Sequence, residues 1–267
     1  MVDYSAHTPA RVLLMEPLDP TGATFLLADS ISCAHLGCHA LSVVTALHSQ
    51  DTLDVETIHV VDAEIIHDQA RCLLEDIAIQ AIKAGPIYTA DCASVLTQLA
   101  TDYHHVPLVL HLPALPDERC FESEIALDES VAALCQLVIP QATVVVTSRT
   151  VLEQWQEAEY LPDAPTAVRA LLAAGAAAVV CATPASDGQA AVYEYHTAEQ
   201  DVQRWPIPKR APRLQDVEGT LACAIAALLA QQHTLDDAIQ QALNFTEQLA
   251  QRPIALGMGL LTLDQSR

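Results

Sequence analysis

A chain of 267 residues, half of them apolar, is long enough to bury a large core within one α/β domain. Its 34 acidic residues against 12 basic ones set a formal charge of −22, which excludes nucleic acid as a partner, because phosphate backbones are gripped through clustered Lys and Arg. No apolar run reaches the length of a transmembrane helix, and Met1 to Ala10 lacks the apolar centre of a signal peptide, so the chain reads as cytoplasmic with no membrane partner.

Only Lys83 and Lys209 are lysines, and the acidic residues are scattered rather than gathered in a tail. Such a surface suits solubility in a salty cytoplasm. The melting temperature is therefore expected to be higher in about 2 M salt than in dilute buffer, where self-repulsion is screened far less; an equal or lower value would contradict a halophilic surface. Eight cysteines without a C-x-x-C pair read as buried thiols in a reducing compartment. Cys33, His35, Cys38 and His39 are the one tempting ligand cluster, but Gly37 looks like a helix stop that sends Cys38 and His39 into the next strand. No metal site is expected from them, and His104-His105 reads as solvated.

After a polar N-terminal tail, Arg11–Glu16 forms a strand ended by the turn-rich Pro17–Gly22, and a helix covers Thr24–Leu36. Ala40–Leu47 is an apolar strand, followed by the polar loop His48–Thr52 at its carboxyl end, where open α/β sheets place ligands. Val55–Val61, Ile77–Lys83, Val106–Leu112, Ala142–Thr147 and Ala176–Ala182 follow as strands. Helices at Ala63–Glu75, Asp91–Asp102, Asp128–Leu137 and Val151–Gly175 alternate with them, the last broken at Leu161-Pro162. Gln189–His196 and Asp201–Ile207 read as a hairpin, and Pro206, Pro208 and Pro212 as an extended connector. The expected architecture is a three-layer α/β/α sandwich around a mostly parallel sheet, one domain over 1–267 with irregular tails at 1–10 and about 253–267.

The connector leads into Glu218-Gly219-Thr220, a short turn that opens an apolar helix to Ala230, with Leu221, Ile225, Leu228 and Leu229 on one buried face. Free N–H groups and the helix dipole at such a start can hold a phosphate, whereas Glu218 in the first turn repels a second anion. Thr234 followed by Asp237 resembles a capping box for the last helix.

Four stretches taken together resemble the hydroxymethylpyrimidine/phosphomethylpyrimidine kinases of thiamin biosynthesis, in the ribokinase-like superfamily. They are Asp19-Pro20-Thr21-Gly22, Ala28-Asp29, Leu36-Gly37-Cys38-His39-Ala40, and Val44-Thr45-Ala46-Leu47 running on to Gln50-Asp51-Thr52. Lys83-Ala84-Gly85 looks like the family's K-x-G, and Glu218-Gly219-Thr220 falls on its catalytic H-G-T-G-C. The resemblance implies a ribokinase-like fold, ATP and Mg²⁺ as cofactors, a small pyrimidine as substrate, and a homodimer. It also implies that Gln50 hydrogen-bonds the aminopyrimidine ring, with Asp19, Gly22 and Asp29 at the substrate side and Gly219 and Thr220 as remnants of an anion hole.

The departures carry as much. Ala222 stands where the family has its reactive Cys, and Leu221 where it has the second Gly, so no residue fills the catalytic position. Thr147-Ser148-Arg149-Thr150-Val151-Leu152 replaces the family's Thr-Pro-Asn-x-x-Glu, and Ala182-Thr183-Pro184 falls where the family has Lys-Gly-Gly near the nucleotide. Thr24, His48 and Pro86 are changed pocket positions. Transfer of phosphate from ATP to hydroxymethylpyrimidine is therefore expected to be severely impaired; the rival expectation is a non-catalytic pseudokinase that binds a pyrimidine or a protein partner. Each retained residue also has a plainer role: a loop glutamine at Gln50, an Asp-Pro turn at Asp19 and Gly22, a cap or helix-internal pair at Asp29, an ion pair at Lys83, and an N-terminal cap at Gly219-Thr220.

Overall fold

The computed structural model describes residues 8–186, 189–199, 201–211 and 213–266. Strand β1 (Ala10–Leu18) lies near the middle of a nine-stranded sheet, and its alternation explains the layering: Leu13 and Met15 enter one core, Val12 and Leu14 the other. Helix α1 (Phe25–His35) leads to β2 (Cys38–Gln50), which pairs parallel to β1, and Gly37, at φ +75°, is the left-handed turn between them. Strand β3 (Val55–Val60) folds back antiparallel on β2. The parallel series continues through α2 (Ala63–Leu74), β4 (Ala81–Ala84), α3 (Ala90–Asp102), β5 (Leu108–Leu112), α4 (Leu127–Ala133) and β6 (Val144–Ser148). Helices α5 (Arg149–Glu157) and α6 (Ala167–Ala173) then lead to β7 (Ala178–Thr183), and β8 (Val192–Thr197) and β9 (Gln203–Pro206) close the edge as the expected antiparallel hairpin.

The strand order is β3-β2-β1-β4-β5-β6-β7-β8-β9, a mostly parallel sheet with antiparallel edges. Helices α2, α3, α5 and α6 cover the core that holds Leu13, and Trp155 is buried there. Helices α1, α7 (Val217–Ala230) and α8 (Leu235–Ala250) cover the other, with Trp205 of β9 packed at its margin. The three-layer α/β/α expectation therefore holds. Thr234 caps α8 by accepting the Asp237 N–H, as its sequence signature implied. Among the described residues no helix is long and apolar enough to cross a membrane.

Four local expectations are corrected. His48, Ser49 and Gln50 belong to β2 rather than to a polar loop, because β3 supplies their ladder from Ala46↔Val60 to Gln50↔Val55. Glu218-Gly219-Thr220 is the first turn of α7 rather than a turn before it, and that helix is buried on nearly every side rather than on one face, since it lies under α1 and α8 against four central strands. Asp29 pairs across to another element rather than within its own helix. Finally, the segment after Pro253 is not an irregular tail: β10 (Pro253–Ile254) and β11 (Thr262–Leu263) form a small antiparallel ladder, and the stretch between them is tied to Thr52. Residues 1–7 of the polar tail and Pro212 of the connector lie outside the described residues.

That tie is tight. The Gly259 N–H donates to Thr52 Oγ1 at 3.1 Å and the Leu260 N–H to the Thr52 carbonyl at 2.7 Å. A Cβ at Gly259 would collide with that carbonyl, which is backbone and cannot swing aside. Gly259→Ala is expected to cost about 1–3 kcal/mol in a urea titration, the usual scale of overpacking; an unchanged midpoint would show that the strap is not held there.

Candidate functional site

At the carboxyl end of β1 the chain turns on Asp19, which is fully buried. Its carboxylate accepts the N–H groups of Thr21 and Thr24, at 2.8 and 3.1 Å, and both threonine hydroxyls. Gly22 sits at φ +71° and donates to the Asp19 carbonyl at 3.1 Å. Asp19 and Gly22 therefore build the loop, an Asx turn reinforced by hydroxyls, and the carboxylate has no face left for a ligand. Phe25 follows in a left-handed conformation, φ 53°, which is strained for a bulky side chain.

Gln50 ends β2, and its Oε1 lies 2.9 Å from His48 Nδ1. His48 is nearly buried, with Phe25 edge-on at 5.5 Å and Tyr88 stacked at 5.9 Å, and its Nε2 is 3.3 Å from the Tyr88 hydroxyl. Burial lowers the imidazole pKa, against the opposing effects of Gln50 and Asp19. Outside this group a cleft of about 630 Å³ opens between Pro20-Thr21, Gln50–Leu53 and the strap residues Leu256–Met258. The structure thus brings Gln50 beside the loop built by Asp19 and Gly22.

Asp29 is elsewhere. It is a buried residue of α1 with its Oδ2 2.6 Å from Lys83 Nζ, and the same ammonium is paired with Glu16 of β1. All three side chains are excluded from solvent. Burial pushes Asp29 well above the usual carboxylate range, helped by the charge of Asp216, and burial brings Lys83 down to about 8. The structure thus sets Lys83 against Glu16 and Asp29 inside the core, and Asp29 lies beside that ammonium rather than beside Gln50.

Gly219 and Thr220 do not reach the cleft either. They are buried in α7, the Thr220 N–H already donates to the Asp216 carbonyl at 3.2 Å, and the N–H groups of Leu221 and Ala222 fall inside the helical ladder. The helix start is instead occupied by Asp216, in a left-handed conformation with φ 48°. A Cβ at Gly219 would collide with the Asp216 carboxylate, so glycine is the residue that lets that carboxylate sit on the helix end. Burial lifts its pKa to about 7, opposed by Lys83 and by the N–H groups of Phe25 and Gly219. His111 of β5 completes the group, buried, with Nε2 3.9 Å from Asp216 Oδ1; burial and Lys83 hold its pKa well below the usual value. The guard expected at Glu218 is thus Asp216.

Sequence reasoning passed over Asp216, Glu16, Phe25 and Tyr88. An Asp ahead of the apolar helix and a Glu closing an apolar strand were the available signals for the first two. Where the resemblance implies the nucleotide, the Arg149 guanidinium is held by Glu194 at 2.6 Å, and Leu152, at the position of the implied metal-linked carboxylate, is fully buried. These residues do not fit Mg-ATP in the manner of the motif they replace, since an apolar side chain supplies no oxygen and an arginine repels a metal ion.

Residues 19–264 match the family described as phosphomethylpyrimidine kinase. The hydroxymethylpyrimidine/phosphomethylpyrimidine kinase of Mycobacterium tuberculosis (strain H37Rv) is 29% identical over 265 residues, covering 94% of this chain and 92% of its own. The Mycobacterium leprae kinase of the same name is 33% identical over 141 residues, 52% of this chain and 49% of that protein. Among solved structures, an ADP complex of Bacillus subtilis pyridoxal kinase superposes with a TM-score of 0.83 at 18% identity, over 97% of this chain and 98% of that one, which is a likeness of fold. The chain belongs to the phosphomethylpyrimidine kinase family.

Proposed function

We propose that this chain is a hydroxymethylpyrimidine/phosphomethylpyrimidine kinase homologue that keeps a small-molecule cleft at Gln50 while its transfer of phosphate from ATP is severely impaired. The observation that carries the reading is the state of Gly219–Ala222. Their N–H groups are inside or beneath the first turn of α7, Asp216 covers the helix end, and Ala222 offers no proton acceptor. A transferring phosphoryl group needs positioned donors and neutralising charge, and phosphoryl-transfer catalysis has little else to draw on. The cleft remains open at Pro20, Gln50 and Leu53, which supports a retained acceptor site. The limiting form of this reading is a binding-only descendant, favoured by Arg149 being taken up by Glu194. Calorimetry with hydroxymethylpyrimidine and with Mg-ATP, followed by an ADP-release assay, tests both; turnover at the rate of an intact family member would sink the impaired-kinase reading.

A further inference from the structure

The slot beside Gln50 is already filled. The His48 ring meets Phe25 in a T-shaped contact at 5.5 Å and stacks with Tyr88 at 5.9 Å, and Tyr88 is itself met by Phe121 in a T-shaped contact at 5.2 Å. Such offset and edge contacts are the arrangement in which aromatic rings attract one another. The polar ends are also satisfied: a neutral imidazole donating from Nδ1 to Gln50 Oε1 and accepting at Nε2 from the Tyr88 hydroxyl leaves neither nitrogen unpaired. One flat nitrogen heterocycle is thus held by two aromatic walls and two hydrogen-bonding partners, and it belongs to the chain. The Phe25 backbone is held left-handed where its ring meets His48, and its N–H is turned toward Asp216.

We propose that the His48 imidazole is the built-in occupant of an aromatic slot that would otherwise take a planar nitrogen heterocycle, which makes His48 the specificity-determining residue of the cleft. The step from heterocycle to pyrimidine rests on the proposed function above; the occupancy of the slot does not. A ligand competing with an intramolecular occupant sees its affinity reduced by the fraction of molecules in which the slot is vacant. Removing the imidazole removes that penalty and frees the Gln50 amide and the Tyr88 hydroxyl.

The test is calorimetry without nucleotide on the wild-type chain, H48A and H48T, using imidazole and hydroxymethylpyrimidine as probes. The threonine variant suits a strand and guards against a folding failure of the alanine one; circular dichroism melts check both. The expected result is that at least one probe binds the variants about tenfold or more tighter than the wild type. Gain of imidazole binding alone upholds the slot and overturns the pyrimidine reading of Gln50. If folded variants bind both probes no better than the wild type, the proposal is overturned.

Discussion

Replacing Lys83 with methionine is expected to cost about 3–5 kcal/mol of unfolding free energy near neutral pH, the scale found when one member of a buried ion pair is removed. Lys83 is wholly excluded from solvent and shared between Glu16 and Asp29, each equally buried. Without the ammonium, two carboxyl groups face one another in a low-dielectric interior, where at most one can stay ionised. A urea titration reads the cost, and a loss below about 1 kcal/mol, the range of exposed pairs, would contradict the triad as drawn. The neighbouring Asp216 supplies a pH signature. Its carboxyl holds its proton up to about 7 in the folded chain, against an ordinary value of 3.8, so the folded state binds more protons between those limits. Its contribution to stability is full below the lower value and is lost as the pH rises through 7. Asp216→Asn should therefore flatten the slope of stability against pH between the two, and an unaltered slope would show that Asp216 is ionised throughout.

The second large effect is on turnover. ADP release with hydroxymethylpyrimidine and Mg-ATP is expected to run at least about 10³-fold below an intact family enzyme under the same conditions. Losing one oxyanion donor costs about 10²–10³ and losing a positioned base about 10²–10⁴, and the two losses do not simply multiply. A222C alone should not restore the rate. A thiol at that position would still project from the second turn of a buried helix whose N–H groups are already paired and whose end is covered by Asp216. Recovery to within about tenfold of the intact enzyme by that single change would mean that the donors are in place after all.

Most of the fold was legible because periodicity is strongest where burial is complete. The strands at Val106–Leu112 and Ala142–Thr147 were read within two residues of β5 and β6, and the hairpin of β8 and β9 announced itself by alternation. The polar end of β2 was not legible: His48-Ser49-Gln50 has no apolar pattern, and only the return of β3 makes it strand. The site was half legible. Gln50 and the Asp19 turn could be found from local chemistry and resemblance, since each acts within a few residues of itself. Asp29 could not be assigned, because its partner Lys83 lies 54 positions away on a strand while Asp29 is on a helix, and pairing across layers leaves no spacing in the sequence. Asp216 was overlooked for a related reason: a carboxylate on a helix end reads as an ordinary cap until the glycine beneath it is seen to make room.

The placement of the two tryptophans has a consequence for how this protein can be watched. Trp155 is buried against one face of the sheet and Trp205 lies on β9 against the other, both in the half of the sheet beyond β5. The half that carries Gln50, His48 and the C-terminal strap holds no tryptophan at all. Tryptophan emission is therefore a reporter of the β6–β9 half, and the cleft beside Gln50 has no tryptophan of its own to report a ligand. A tryptophan introduced at Leu53 would give the silent half a voice.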